Sequence, residues 1–319
     1  MVRFAKEKDL PFLKQAWKVC FDDPDAFIDW NFANNFCYED TLIAECDGKA
    51  ASNMQLMPHT ISLRGRSYNI NYVSGVATLP EFRNRGLVRE MFAFAFPEMK
   101  RRNHPISLLV PFNYEFYEKF GYRKCYEKVF RYVEILPERC YLTAQDLSGE
   151  LMQRLDERYQ KQMQSHTGYA IRKRTDWQKI LEDLLCLSEG RILLEEDGYA
   201  LLAPKPEGGW EVHEQCGSVS LPCREEVKPF AMARILDPVR LLTDLAETFD
   251  GQLRIKLIDA QIPENNLCVE IKNHSVTPCD GYDCKLDIKE LAPLLFGYCE
   301  DSTHSGLFSR QNPYLNMIF

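Results

Sequence analysis

The sequence predicts a mixed α/β (α+β) chain of two or three domains, and three observations carry that reading. A chain of 319 residues exceeds what one ordinary core organises. Val73–Val88, VSGVATLPEFRNRGLV, passes from a β-type run through a basic glycine turn into the start of a helix. On both sides of it hairpin strands and amphipathic helices follow one another, without internal repeats or low-complexity tracts.

Composition narrows the function classes. The 45% hydrophobic and 27% charged residues are those of a globular chain. No apolar run reaches the roughly 18 residues of a membrane helix. The opening MVRFAKEKDLPF lacks the apolar core of a signal peptide. The twelve cysteines are scattered and form no CxxC, so buried, reduced thiols in the cytoplasm are expected. A formal charge of −8 argues against nucleic-acid binding and is compatible with a cationic small substrate. His59, His104, His166, His213, His274 and His304 show no ligand spacing, so no metal is expected.

The elements follow in order. Val2–Phe4 reads as a strand, and Asp9 as the cap of a helix with Phe12, Ala16, Trp17 and Cys20 on one side. A second helix follows Pro24, with Phe27 and Trp30 inward. The aromatics of Phe21–Tyr38 suit either a core or one wall of an amine pocket. Asp47-Gly48 and Arg64-Gly65 are hairpin turns that feed the Val73 strand. A helix over Leu87–Arg102 carries Met91, Phe94, Ala95 and Met99 inward, with a kink expected at Pro97. Ile106–Val110 is a short buried strand, and KCYEKVFRYVEI closes the first domain. Ser148 starts a helix bearing Leu151, Leu155, Tyr159 and Met163, and Thr175 caps another. Asp197-Gly198 turns a further hairpin, with a third strand at GWEVHEQC. FAMARIL, QLRIKLIDA and NLCVEIKN read as strands of the last region. Asp237-Pro238 and Asp287 open its helices, and Gly297 ends the second.

The turn Arg83-Asn84-Arg85-Gly86 is an anion site in its own right. Free N–H groups at a helix start, two guanidinium groups and a glycine that admits close approach suit a phosphate or pyrophosphate. The order V-A-T-x-P-E-x-R-x-x-G around it resembles the cofactor signature of the GNAT acetyltransferase superfamily. PFNYEFYEKFGY (Pro111–Tyr122) resembles that superfamily's second cofactor segment, and the closing NPYLNMIF has an aromatic last residue. Together these resemble the Eis-type (enhanced intracellular survival) acetyltransferases. The resemblance implies a GNAT domain over residues 1–137. It further implies a shortened GNAT-like middle region over 138–227 and a sterol-carrier-protein-like domain over 228–319.

It also implies acetyl-CoA as the donor and an amine-bearing small molecule or a lysine side chain as acceptor. Val76, Ala77 and Thr78 would present backbone N–H groups to the acetyl carbonyl. Arg83, Asn84, Arg85, Gly86, Leu87 and Val88 would hold the pyrophosphate. The superfamily's usual asparagine is absent, and Asn113 is the nearest candidate for it. Tyr117 matches the family's general acid; a phenol with a pKa of about 10 is close enough to a thiol of about 8.5 to protonate it. The carboxylate of Phe319 would be the general base. Direct deprotonation of an ammonium by it is uphill by about 9 kcal/mol. Burial, transfer from the tetrahedral adduct, or a water relay would have to reduce that. The family implies a homo-oligomer. The alternative of another class is a non-catalytic binding or scaffold protein with an apolar ligand in the C-terminal domain.

Overall fold

A computed structural model describes residues 1–247, 249–298 and 308–316. The chain begins with β1 (Val2–Phe4), α1 (Leu10–Phe21) and α2 (Asp25–Asn34). Next come β2 (Thr41–Cys46), β3 (Lys49–Leu63) and β4 (Arg66–Thr78), three antiparallel strands joined by the two predicted glycine turns. Then follow α3 (Leu87–Arg101), β5 (Ile106–Leu109), α4 (Tyr114–Glu118), β6 (Arg123–Lys124) and β7 (Glu127–Val133). The middle of the chain supplies α5 (Gly149–Met163), β8 (Tyr169–Ala170), α6 (Arg174–Glu182), β9 (Arg191–Leu194), β10 (Gly198–Pro204) and β11 (Trp210–Gly217). After β12 (Arg224–Pro229) and β13 (Met232–Ile235) come α7 (Pro238–Ala246), β14 (Gln252–Ile258), β15 (Cys268–Lys272), β16 (Ser275–Pro278), β17 (Cys284–Asp287) and α8 (Ile288–Phe296).

The described residues form three sheets. The first has the order β1-β2-β3-β4-β5-β13-β6, with β8 added to β3. The second is β12-β7-β11-β10-β9, and the third is β16-β15-β14-β17. Two strands cross the divisions expected from sequence. β7, inside the first 137 residues, belongs to the second sheet, while β13, from the last region, inserts between β5 and β6 of the first. The largest core follows from that insertion. Leu241, Leu242, Leu291, Leu295 and Phe296 of α7 and α8 pack between Ile61, Tyr68 and Ile70 of the first sheet and Ile255, Val269 and Ile271 of the third. The apolar faces of both helices are consumed by these sheets.

Several local expectations need correction. Asp9 makes no capping bond to α1; its carboxylate takes Arg3 and the Lys6 N–H instead. Thr175 is not the cap of α6; Lys173 stands at the cap position, its N–H held by the Asp176 side chain. In α2 the inward residues are Ile28 and Phe32, with Phe27 and Trp30 only half-buried. Phe94 faces outward against Phe4, and Phe92 and Phe96 take the inward places in α3, which runs on through Pro97. Cys125 and Cys216 are buried, but Cys37, Cys140 and Cys186 are exposed.

Candidate active site

The site is built where β4 parts from its neighbours. On one side β3 and β4 pair continuously except at one place. Asn53 faces Ala77 and Gln55 faces Ser74, so Gly75 and Val76 together oppose the single residue Met54. This is a β-bulge, and Gly75 has φ +55°, the left-handed conformation that a bulge glycine supplies. A bulge leaves a residue out of the ladder, so its backbone polar groups are free to turn elsewhere. On the other side β4 pairs in parallel with β5 only through Asn71–Ser107 and Tyr72–Leu108. Beyond that point the two strands have no ladder between them.

The gap is a cleft of about 640 Å³. One wall is Val76, Ala77 and Thr78 of the bulged strand. The floor is the turn Arg83, Asn84, Arg85 and Gly86 with Leu87 and Val88 at the start of α3. The opposite wall is Phe112, Phe116, Lys119 and Phe120, with Cys20 and Phe21 of α1 at the edge. The turn has the local geometry its residues suggest. Asn84 and Gly86 lie at φ +62° and +78°, and Gly86 is the residue before the first helical turn. The free N–H groups of α3 therefore open at the floor of the cleft. Arg83 donates from Nε to the Thr78 carbonyl at 3.2 Å. Arg85 bridges to Asp47 at 2.9 Å and to the Cys46 sulfur.

Two predicted residues stand apart from this lining. The Asn113 side chain accepts the Phe116 N–H at 3.0 Å and caps α4; it does not line the cleft. Tyr117 lies behind the aromatic wall at 4% exposure, in ring contact with Phe112 and Phe116. Burial, with the neighbouring Tyr72 phenol adding to it, pushes its pKa well above the ordinary tyrosine value. It therefore stays protonated at any working pH, and giving up its proton costs more than for a free phenol. Phe319 lies outside the described residues.

The second cofactor motif also has a packing reason. Gly121 adopts φ +86°, and a Cβ there would lie 2.7 Å from Arg234 Nε. The glycine of Y-x-x-x-G-[FY] thus lets the buried Arg234 of β13 cross behind α4.

Sequence reasoning missed the side of the bulge away from the cleft. Trp17 of α1 covers Gly75: a Cβ on that glycine would meet the indole at 3.0 Å and Gln55 at 3.2 Å. The indole N–H donates to Asp23 at 2.8 Å. Burial pushes the carboxyl of Asp183 up to about 6, with Asp23 adding to the effect. Asp23 and Asp183, 160 residues apart in sequence, thus lie near enough for the charge of one to act on the other, which no local motif signals. The aromatic stretch divides in the same way: Phe32 joins Leu13, Trp17 and Ile28 in a small core, whereas Phe21 reaches the cleft.

Comparison with known proteins agrees with this geometry. The family model for the acetyltransferase (GNAT) domain matches residues 1–125. No curated protein matches the sequence. Among solved structures, a probable N-acyltransferase of Enterococcus faecalis V583 is similar at 17% identity and TM-score 0.79, with 100% of this chain and 99% of that one covered. Eis1 of Mycobacterium abscessus is similar at 13% identity and TM-score 0.78, with both chains fully covered. A GCN5-related N-acetyltransferase of Anabaena variabilis gives 16% and 0.76, again over both whole chains. At these identities the likeness is one of fold. Among the described residues no helix is long and apolar enough to cross a membrane. The bulged strand, the glycine turn and the family match converge: residues 1–125 match the acetyltransferase (GNAT) domain, and the whole chain shares the fold of Eis1.

Proposed function

We propose that the protein moves the acetyl group of acetyl-CoA to a primary amine by direct attack, in the cytoplasm and as a homo-oligomer. The observation that carries the reading is the single cleft that gathers the bulged strand Val76–Thr78 and the turn Arg83–Gly86. Backbone N–H groups of the bulge would take the thioester carbonyl oxygen, where charge develops. The turn and the start of α3 would take the pyrophosphate. What favours an amine is the carboxylate of Asp23, which accepts the indole N–H of Trp17 beside the bulge, with Asp183 within range of its charge. The division into a GNAT domain, a shortened GNAT-like middle region and a sterol-carrier-like end belongs to the same proposal.

The amine lone pair attacks the carbonyl carbon. The carbon–sulfur bond breaks, and the departing sulfur takes the proton of the Tyr117 hydroxyl. The proton shed by the amine nitrogen goes to the carboxylate of Phe319. The alternative, an apolar ligand held in the C-terminal region of a non-catalytic protein, has no observation in its favour, since the apolar faces of α7 and α8 are covered by sheet. The test is thiol release from acetyl-CoA with a polyamine, an aminoglycoside and a lysine peptide in turn. Amine-dependent release with one acetyl group gained per thiol is the expected result. Thiol release that ignores every amine would overturn the proposal.

A further inference from the structure

Opposite the bulge, β3 is buried and yet polar. Ser52, Asn53 and Gln55 are 0%, 2% and 3% exposed, interleaved with Ala51, Met54 and Leu56, which pack in the apolar core that α3 shares. Two of the three polar side chains bond to the bulged segment. Asn53 Nδ2 donates to the Gly75 carbonyl at 2.6 Å. Ser52 Oγ donates to the Ala77 carbonyl at 2.7 Å. With that proton committed, the Thr78 hydroxyl donates to Ser52 Oγ, also at 2.7 Å. Asn53 Oδ1 and Gln55 Nε2 are buried without a hydrogen bond to any described residue. A buried amide with one end unpaired is a poorer core residue than an apolar side chain of its size. Packing therefore does not account for Asn53; the bond made by its other end does.

A planar trans peptide carries its C=O and the following N–H in opposite directions. A donor on the Gly75 carbonyl therefore fixes the N–H of Val76 as well, turned away from the Asn53 amide. The Ser52 bond does the same for the N–H of Thr78. Both side chains belong to β3, the neighbour of β4 on one side. On the other side β4 has no ladder with β5 beyond Tyr72–Leu108, and Val76 and Thr78 line the cleft. Gly75, at φ +55°, is the joint about which this peptide would otherwise turn, because glycine populates both sides of the φ map. Satisfying a carbonyl left out of the ladder is one result of the Asn53 bond; aiming the next N–H is the other.

We propose that Asn53, aided by Ser52, is a positioning residue for acetyl transfer: it locks the Gly75–Val76 peptide so that the Val76 N–H faces the thioester carbonyl. The inference rests on the reading of the bulge as the place of that carbonyl. Neither Ser52 nor Asn53 lines the cleft, so both act through the backbone of β4. A donor held in place before charge develops needs no reorganisation during the reaction, and loss of one such donor lowers kcat by about 10²–10³-fold.

The test uses N53L, which keeps a side chain of similar size and removes the donor, with N53A as a second variant. CoA, which has no acetyl group, is titrated first, and its stoichiometry counts the folded sites; turnover is then expressed per site. Infrared difference spectra of bound acetyl-CoA, isotope-labelled at its carbonyl carbon, read the hydrogen bond itself, since a donor on the oxygen lowers the stretching frequency. In the native chain the bound carbonyl should lie at a lower frequency than in free acetyl-CoA. In both variants it should return towards the free value, with kcat per site lower by about 10²-fold and the dissociation constant of CoA unchanged. A merely structural role would reduce the number of sites and leave both frequency and kcat per site at their native values, which overturns the proposal. Loss of CoA binding in both variants overturns it too, because Asn53 would then serve the fold. A lowered frequency that is the same in native chain and variants leaves the bulge reading standing and the role of Asn53 refuted. If the native complex shows no lowered frequency, the bulge reading itself falls, and the inference with it.

Discussion

Tyr117 carries the heaviest chemical demand placed on one side chain. In sequence it is a phenol of ordinary acidity at a motif position. In the fold it is enclosed by Phe112, Phe116 and Tyr122, and burial drives its pKa upward. Such a group does not dissociate before the reaction; in the proposed mechanism it would yield its proton only as charge builds on the sulfur. Among the described residues the hydroxyl has no hydrogen-bond partner, so removing it leaves no orphaned buried group. Tyr117→Phe should therefore leave the melting temperature close to that of the native chain and lower kcat by about 10²–10⁴-fold. Turnover at the native rate in that variant would take Tyr117 out of the mechanism. The residue scale also shows what motif matching misses. Asn113 is the nearest candidate for the superfamily's asparagine, and in the fold its side-chain oxygen accepts the N–H of Phe116.

At the scale of elements, what could be read from sequence divides by the range of the interaction. The hairpin turns, the strand–turn–helix at Val73–Val88, the inward face of α5 and the Asp237-Pro238 start of α7 are legible because glycine, proline and apolar spacing act locally. The bulge is not legible, because it exists only when β3 is counted against β4. The insertion of β13 beside β5 is not legible either, since its partners are more than 100 residues away. The phase of α3 was half legible. Met91, Ala95 and Met99 keep four-residue spacing, but Phe94 and Phe92 compete for the same face, and the first sheet chooses Phe92. Gly75 is where this level becomes testable. A methyl group there faces both a left-handed backbone and contacts of 3.0 and 3.2 Å with Trp17 and Gln55. Gly75→Ala should cost about 2–4 kcal/mol of stability, from backbone strain and overpacking together. It should also reduce turnover more than it weakens acetyl-CoA binding, because in the proposed function the bulge would meet the acetyl group and the turn would take the pyrophosphate. Denaturant titration and steady-state kinetics on the same preparation read both; an unchanged midpoint would show that the bulge tolerates a side chain.

At the scale of the whole molecule, the pair Arg234–Asp259 joins the first sheet to the end of β14. Arg234 stands on β13 with its side chain fully buried, and one of its nitrogens meets both oxygens of Asp259 at 2.6 and 2.7 Å. The carboxylate also receives the N–H groups of Gln261 and Ile262 and the amide of Asn265. Burial alone would raise the Asp259 pKa, but the charge of Arg234 and these hydrogen bonds outweigh it and hold the value below the ordinary one. The sign of the consequence follows. Asp259 binds a proton more readily in the unfolded chain, whose pKa is about 3.9, so its contribution is complete above that pH. It is lost as the pH falls from about 4 through the lower folded value. Asp259→Asn removes the charge and leaves Arg234 buried without its counterion, an arrangement that costs about 3–5 kcal/mol. Urea unfolding at pH 7 should show that loss. Repeated at steps down to pH 3, the difference between native and variant chains should shrink by up to about 1.4 kcal/mol per pH unit. A difference that stays constant from pH 7 to pH 3 would mean that the Asp259 carboxylate is not held ionised by Arg234.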